Sequence, residues 1–355
     1  MTTTANRWRP AVALLAAITS VLVTAGPAAA DEPGPPTLAD RDGLTQVGAA
    51  TGTSTNFLIT VTTPEVSGQH HIKIILPGDY YADPTRRYPV LYFLHGSPDD
   101  PAQQNYPALT MSNKMITVIP DGGARSWYDN WLNQNTVLGA QNWENFHLNQ
   151  VVPFIDGNLR TIATKKARAI AGVSMGGFGA FHYAMDRPDL FSQTASLSGD
   201  IDNSVDSMDL RLAVVASLVD ALGVICSAAS GDCSGDKYKP AVDSDALWGT
   251  PYPVFNGDRR WNEVDPSQHM DKLAGIGISF YVGNGGGQAA NPEFWLEGAA
   301  MHVKDHLDAL HMPYYFVDYG DGSAWGSQCD GGHDGGCWEQ DLLDLIPRLE
   351  RAFAA

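Results

Sequence analysis

The sequence predicts an α/β fold, a mostly parallel sheet with helices on both faces, on three observations. Short apolar, β-branched segments alternate with helix-like stretches along much of the chain. One of these segments, 167–173, runs into Gly172-Val173-Ser174-Met175-Gly176 and then a helix-like stretch, the pattern of a serine on a sharp strand-to-helix turn. Beyond that serine come several carboxylates and then a histidine in a glycine-rich loop. A nucleophile, an orienting acid and a base would follow one another in that order.

At the N-terminus, residues 1–30 read as an export signal. Arg7 and Arg9 form a basic region, 11–23 an apolar run, and Ala28-Ala29-Ala30 a small-residue cleavage site. The apolar run is shorter than the roughly 20 residues that span a bilayer, and no later run is longer. These features predict a secreted, extracellular protein without stable membrane insertion. Residues 31–44, with Pro33, Pro35 and Pro36, read as a flexible leader, and the fold is expected to start near residue 45.

Strands are predicted at 70–76, 88–94, 115–119, 168–173, 194–197, 278–282 and 314–317, and helices at 143–159, 177–186, 294–310 and 339–353. Residues 201–265 break the alternation. Within them 204–226 has helical apolar spacing, whereas 227–236 and 251–258 are rich in Gly, Pro, Ser and Asp. This stretch reads as an insertion between two strands. It would shape the mouth of the site, since ligands of such sheets bind outside the carboxyl ends of the strands.

The formal net charge is −18, and cleavage after residue 30 would leave 20 basic and 40 acidic side chains, a net charge of −20. Nucleic acid and anionic membranes are poor partners for such a surface. Self-repulsion of this size also keeps an exported protein soluble. Four cysteines, Cys226, Cys233, Cys329 and Cys337, would meet an oxidising environment, where disulfides are their default use. Of the three possible pairings, the local one, Cys226 with Cys233 and Cys329 with Cys337, closes two short loops and is the expected one. Neither pair has the spacing of a zinc site.

Acyl transfer through a serine needs a base to take its proton, a group to orient that base, and two donors for the oxyanion. Ser174 is the candidate nucleophile, and the Met175 N–H after it is one donor. The glycines flanking the serine leave room for the turn. His333 is the candidate base: it follows the last predicted strand, precedes the terminal helix, and sits between Cys329 and Cys337, whose bridging would restrict its loop. His302 and His306, four residues apart, lack an accompanying HExxH-type motif and read as helix surface. The acid could be Glu293, Glu297, Asp305, Asp318 or Asp321, all between the serine and His333. Spacing favours the loop after strand 278–282, which leads to Glu293 and Glu297. The second oxyanion donor is expected after an early core strand, at Tyr92-Phe93-Leu94-His95-Gly96-Ser97, with the Ser97 N–H as donor. His95, Trp127, Tyr128 and Trp131 are candidates for lining the substrate pocket, although close aromatics can equally be core packing. The order serine, acid, histidine is that of α/β-hydrolases.

Several segments together resemble a known family. In chain order they are Leu94-His95-Gly96, Trp127-Tyr128-Asp129-Asn130-Trp131, Trp143-Glu144-Asn145-Phe146, the Ser174 pentapeptide, Leu197-Ser198-Gly199, Asp265-Pro266-Ser267, Gly283-Asn284-Gly285, Phe294-Trp295-Leu296-Glu297, and Gly332-His333 followed by Trp338. Over residues 45–353 the chain resembles the exported esterase D-like α/β-hydrolases of actinobacteria that include the antigen 85 mycolyltransferases. The resemblance implies one α/β-hydrolase catalytic domain over 45–355 and a Ser, Glu, His triad. That family's glutamate falls in an aromatic-Leu-Glu segment, so the resemblance selects Glu297. Two departures stand out. His95-Gly96-Ser97-Pro98 replaces a loop that carries an acidic residue and an arginine in mycolyltransferases, and their cysteine pair is missing from 132–143.

The expected function is therefore a secreted serine esterase that cleaves carboxylic esters through an acyl-enzyme on Ser174. Its substrate would be a small-molecule, lipid or sugar ester, and no metal or organic cofactor is implied. An acyltransferase that moves the acyl group to a sugar or other alcohol is the alternative. A non-catalytic surface or matrix-binding protein on the same fold is the alternative of another class.

Overall fold

In the computed structural model, which describes residues 1–2, 34–219 and 241–355, ten strands form one sheet. The chain divides into two units, Met1–Glu32 and Pro33–Ala355, and the sheet belongs to the second. Its strands are β1 (Thr45–Gln46), β2 (Thr51–Gly52), β3 (Asn56–Thr62), β4 (His70–Ile75), β5 (Val90–Leu94), β6 (Ile116–Pro120), β7 (Arg168–Val173), β8 (Gln193–Leu197), β9 (Gly277–Val282) and β10 (Tyr315–Asp318). The spatial order is β1-β3-β4-β6-β5-β7-β8-β9-β10, with β2 paired to β3. Strands β6, β5, β7, β8, β9 and β10 run parallel, and the β1, β3, β4 side joins antiparallel. The mostly parallel sheet expected from the alternation is present.

Burial on both faces explains why the central strands read as continuous apolar runs. Every residue of β5 is buried: Val90, Tyr92 and Leu94 enter one core, and Leu91 and Phe93 enter the other. The first core is closed by α1 (Val152–Asn158), α2 (Met175–Asp186) and α5 (Glu293–Ala309), through Phe154, Phe178, Phe181, Val303 and Leu307 among others. The second is closed by α6 (Gly335–Ala354), whose Leu342, Leu345, Ile346 and Leu349 recur at helical spacing.

Two regions differ from the sequence expectation. The leader is tied down before residue 45: Leu38 and Leu44 are buried in the first core, and the Ala39 N–H donates to Asn158 Oδ1 at 2.7 Å. Its prolines suggested flexibility, but two leucines placed over the core outweigh them. Strand β3 lies outside the predicted strands although it alternates cleanly, burying Phe57, Ile59 and Val61. The proposed export signal, and Cys226 with Cys233, lie outside the described residues.

The insertion after β8 carries α3 (Met208–Val219) and α4 (Arg259–Val264). Arg211 of α3 fastens it from inside. Its fully buried guanidinium donates to Asp258 Oδ2 at 2.8 Å, Pro251 O at 2.6 Å and Asn262 Oδ1 at 2.9 Å, while Nε donates to Asn203 O at 2.7 Å. Replacing Arg211 with methionine fills part of the volume but strands the buried Asp258 carboxylate. The expected cost is about 3–5 kcal/mol of stability, measurable by urea unfolding.

Candidate active site

Backbone sterics build the nucleophile turn. Ser174 caps the N-terminus of α2 immediately after β7 and holds φ +54°, ψ −124°, a strained conformation for a residue with a Cβ. The turn packs so closely on the end of β5 that a Cβ on Gly176 would lie 2.2 Å from Leu94 O, and one on Gly172 2.2 Å from Gly176 O. Only glycine fits either position. The Ser174 N–H donates to Leu197 O of β8 at 2.9 Å, which fixes the turn against the neighbouring strand.

His333 lies in the loop between β10 and α6. Its Nε2 is 2.9 Å from Ser174 Oγ, and its Nδ1 is 2.8 Å from Glu293 Oε1. With the proton on Nδ1, the imidazole donates to Glu293 and accepts from the serine hydroxyl, the tautomer a general base requires. The Cys329–Cys337 disulfide spans this loop. Asp334 starts α6 directly after the histidine, its carboxylate accepting from the Gly336 and Cys337 N–H groups. Trp338 then packs edge-on against the imidazole with ring centroids 4.9 Å apart, and its Nε1–H donates to Ser198 Oγ at 3.0 Å. The Ser198 hydroxyl also lies 3.3 Å from the Tyr319 hydroxyl. The ring is thus held on its edge as well as at both nitrogens.

Opening that bridge tests how much the loop depends on it. The double replacement of Cys329 and Cys337 by serine is expected to cost about 2–3 kcal/mol of stability from the short closed loop. It should lower kcat by about 10- to 100-fold through a displaced imidazole. Thermal unfolding and ester hydrolysis of the variant measure the two effects separately.

The carboxylate at His333 is Glu293, and this corrects the expectation of Glu297. Glu293 is the first residue of α5 and is fully buried; its Oε2 accepts the Gly283 N–H at 3.1 Å, which ties it to the end of β9. Side chains on a helix lean toward its N-terminus, so a carboxylate in the first turn reaches back to the strand ends. Glu297 sits one turn, about 5–6 Å, further along the axis. There it is partly exposed, and burial together with the negative charges of Asp318 and Glu293 raises its pKa.

Met175 is the first residue of α2, where the N–H has no partner within the helix. The loop holding Ser97 passes close by: a Cβ on Gly96 would lie 3.3 Å from Ser174 Cβ. The Ser97 hydroxyl donates to Ala124 O, which anchors this loop to the segment after β6.

The four residues expected to line a pocket are buried instead, and this too is a correction. His95 is fully enclosed, with Nδ1 2.8 Å from Gly96 O and Nε2 accepting the Gly122 N–H at 2.7 Å. Tyr128 fills space that Gly122 and Gly179 leave by lacking a Cβ, and its hydroxyl donates to His95 O at 2.9 Å. Trp127 packs between Phe178 and Trp248, while Trp131 donates to Ser126 O at 3.1 Å. These side chains brace the nucleophile helix against the 95–97 loop. His302 and His306 also have structural partners, in Asp202 Oδ2 and Ser267 O respectively.

The profile of the family described as "Putative esterase" matches residues 63–349. The chain belongs to this Esterase family. An esterase of Mycobacterium tuberculosis, Esterase Rv1288, is 41% identical over 133 residues, which cover 36% of this chain and 28% of that protein. The Ag85B diacylglycerol acyltransferase/mycolyltransferase of Mycobacterium avium is 25% identical over 250 residues, covering 68% of this chain and 66% of that one. The match to each relative therefore spans less than two thirds of the relative's own length. Among solved structures, Mycobacterium tuberculosis MPT51 superposes with a TM-score of 0.60 at 20% identity, covering 86% of this chain and all of that one. A fluorophosphonate-binding serine hydrolase of Staphylococcus aureus gives 0.58 at 18% identity, covering 85% of this chain and 99% of its own. These superpositions establish the α/β-hydrolase fold. Membership places the chain in a family of ester-processing enzymes, related to antigen 85.

Proposed function

We propose that the protein is an exported serine esterase that cleaves carboxylic esters through an acyl-enzyme on Ser174. The observation that carries this reading is the continuous chain of hydrogen bonds from Ser174 Oγ through His333 to Glu293. His333 takes the serine proton as Oγ attacks the ester carbonyl, and Glu293 stabilises the imidazolium that results. The oxyanion accepts from the N–H groups of Met175 and Ser97, the first of them at the positive end of the α2 dipole. His333 then protonates the departing alcohol. Water, activated by the same imidazole, attacks the acyl-enzyme, and the reverse collapse frees the acid and Ser174. Each step needs only these side chains and backbone groups.

Export is supported by the sequence of residues 1–30 and by the disulfide beside His333, which requires an oxidising compartment to persist. Acyl transfer is the second reading, favoured by the similarity to the Ag85B acyltransferase. It differs only in the nucleophile of the last step. Hydrolysis of nitrophenyl esters of increasing acyl length, with products analysed in the presence and absence of trehalose, distinguishes the two. Free acid as the sole product supports the esterase, and a trehalose ester overturns it in favour of acyl transfer.

A further inference from the structure

On the far side of the nucleophile helix, three segments bring metal-ligating side chains together. His182 lies two turns along α2 from Ser174 and is only 2% exposed. Neither of its ring nitrogens has a hydrogen-bond partner. Its Nε2 points at two carboxylates at distances too long for hydrogen bonds, 3.7 Å to Asp129 Oδ1 and 3.8 Å to Asp186 Oδ2. Glu144 completes the group: ligand atoms of Asp129, Glu144 and His182 all lie within 4.8 Å of one another. A buried imidazole with both nitrogens unused is costly unless something occupies the space it faces.

We propose that His182 Nε2, Asp129 Oδ1 and the Glu144 carboxylate bind a divalent first-row transition metal ion such as zinc, with Asp186 at the open side. Two ligands of a tetrahedral ion with bonds of about 2.1 Å stand about 3.4 Å apart, close to the spacing found between His182 and Asp129. A single imidazole among carboxylates suits zinc or manganese better than calcium, which takes oxygen ligands. Charge agrees as well: the carboxylates of Asp129, Glu144 and Asp186 gather here, with the guanidinium of Arg260 paired to Asp129.

The surroundings hold the first ligand in place. Asp129 Oδ2 accepts from Trp248 Nε1 at 2.7 Å and from Arg260 Nη2 at 3.0 Å, while Oδ1 accepts from the Asn130 N–H at 2.7 Å and from Arg260 Nη2 at 3.2 Å. Asn130 Nδ2 donates to Glu144 Oε2 at 3.3 Å. Such outer contacts are what orient metal ligands. Asp186 and Arg260 are partly exposed and leave a path from solvent. A bound ion would join the nucleophile helix to the 127–131 loop and to the start of the 143–159 segment. Its effect would therefore be on stability, without a part in the ester chemistry.

The test uses the full-length exported protein without a histidine tag, stripped with EDTA and titrated with ZnCl₂, MnCl₂ or CaCl₂. Metal analysis after gel filtration should give one zinc or manganese per chain, and saturation should raise Tm by about 3–6 °C. Cobalt(II) should give a visible d–d absorption band whose intensity reports low-coordinate binding at the site. H182Q and E144Q should each weaken binding at least about 10-fold, and H182Q should abolish the cobalt band. E144Q, at a partly exposed position, carries the test if H182Q fails to fold. No bound metal and no Tm shift in the wild type would overturn the proposal. Stabilisation by calcium alone, or binding unchanged in E144Q, would also overturn it.

Discussion

Replacing Ser174 with alanine is expected to lower kcat for a short-chain nitrophenyl ester by about 10⁴-fold or more. The magnitude follows from the role of the hydroxyl: without Oγ there is no acyl-enzyme, and the rest of the site can only hold the ester near water. Folding should survive, because Ser174 makes its anchoring hydrogen bond through its backbone, to Leu197 O. The 172–176 turn depends on glycines rather than on the serine side chain. A drop in kcat with an unchanged unfolding transition is thus the expected pair of results. Activity within 10-fold of wild type would mean that hydrolysis occurs elsewhere.

The second large effect separates two glutamates four residues apart. Glu293→Gln keeps the volume but removes the charge that stabilises the His333 imidazolium, and its amide can present the wrong group to Nδ1. A fall in kcat of about 10³- to 10⁴-fold is expected, as for triads whose acid becomes an amide. KM should change little, since the side chain is buried behind the histidine. Glu297→Gln removes a partly exposed carboxyl with no hydrogen bond to the imidazole. It should stay within about 3-fold of wild type, the scale of about 0.5 kcal/mol on a barrier. The reverse ranking would show that the loop carrying His333 rearranges during turnover to meet Glu297.

Much of this arrangement could be read from the chain. The parallel strands are legible because burial on both faces leaves unbroken apolar runs such as 169–173, and the serine because its glycines answer a backbone need. His333 stood out through its place between the last strand and the last helix. The acid was less legible for a physical reason. Both Glu293 and Glu297 follow β9 at suitable distances, and what separates them is where α5 begins. The sequence did carry a hint in Pro292-Glu293, since proline is common at a helix start and a first-turn carboxylate is favoured by the helix dipole. The aromatic-Leu-Glu resemblance points to Glu297 instead.

The aromatic cluster is open to both readings in the sequence for a related reason. Tyr128 and Trp131 have the composition of a pocket wall, but the glycines that make room for Tyr128, Gly122 and Gly179, are distant in sequence. Whether an aromatic faces a ligand or a glycine is decided by tertiary packing. The same holds for His182, whose neighbours Asp129 and Glu144 come from two other segments. The support that Ser198 and Tyr319 give Trp338 behind the imidazole likewise depends on β8 and β10 flanking β9.

Covalent trapping of the nucleophile tests the role of Ser174 most directly. The protein is incubated with a fluorophosphonate, and the adduct is located by peptide mass spectrometry in wild type, Ser174→Ala and Glu293→Gln. One stoichiometric adduct is expected on Ser174, none in Ser174→Ala, and labelling slowed by orders of magnitude in Glu293→Gln. A folded wild-type protein that takes no label, or that takes it on another residue, would contradict that role.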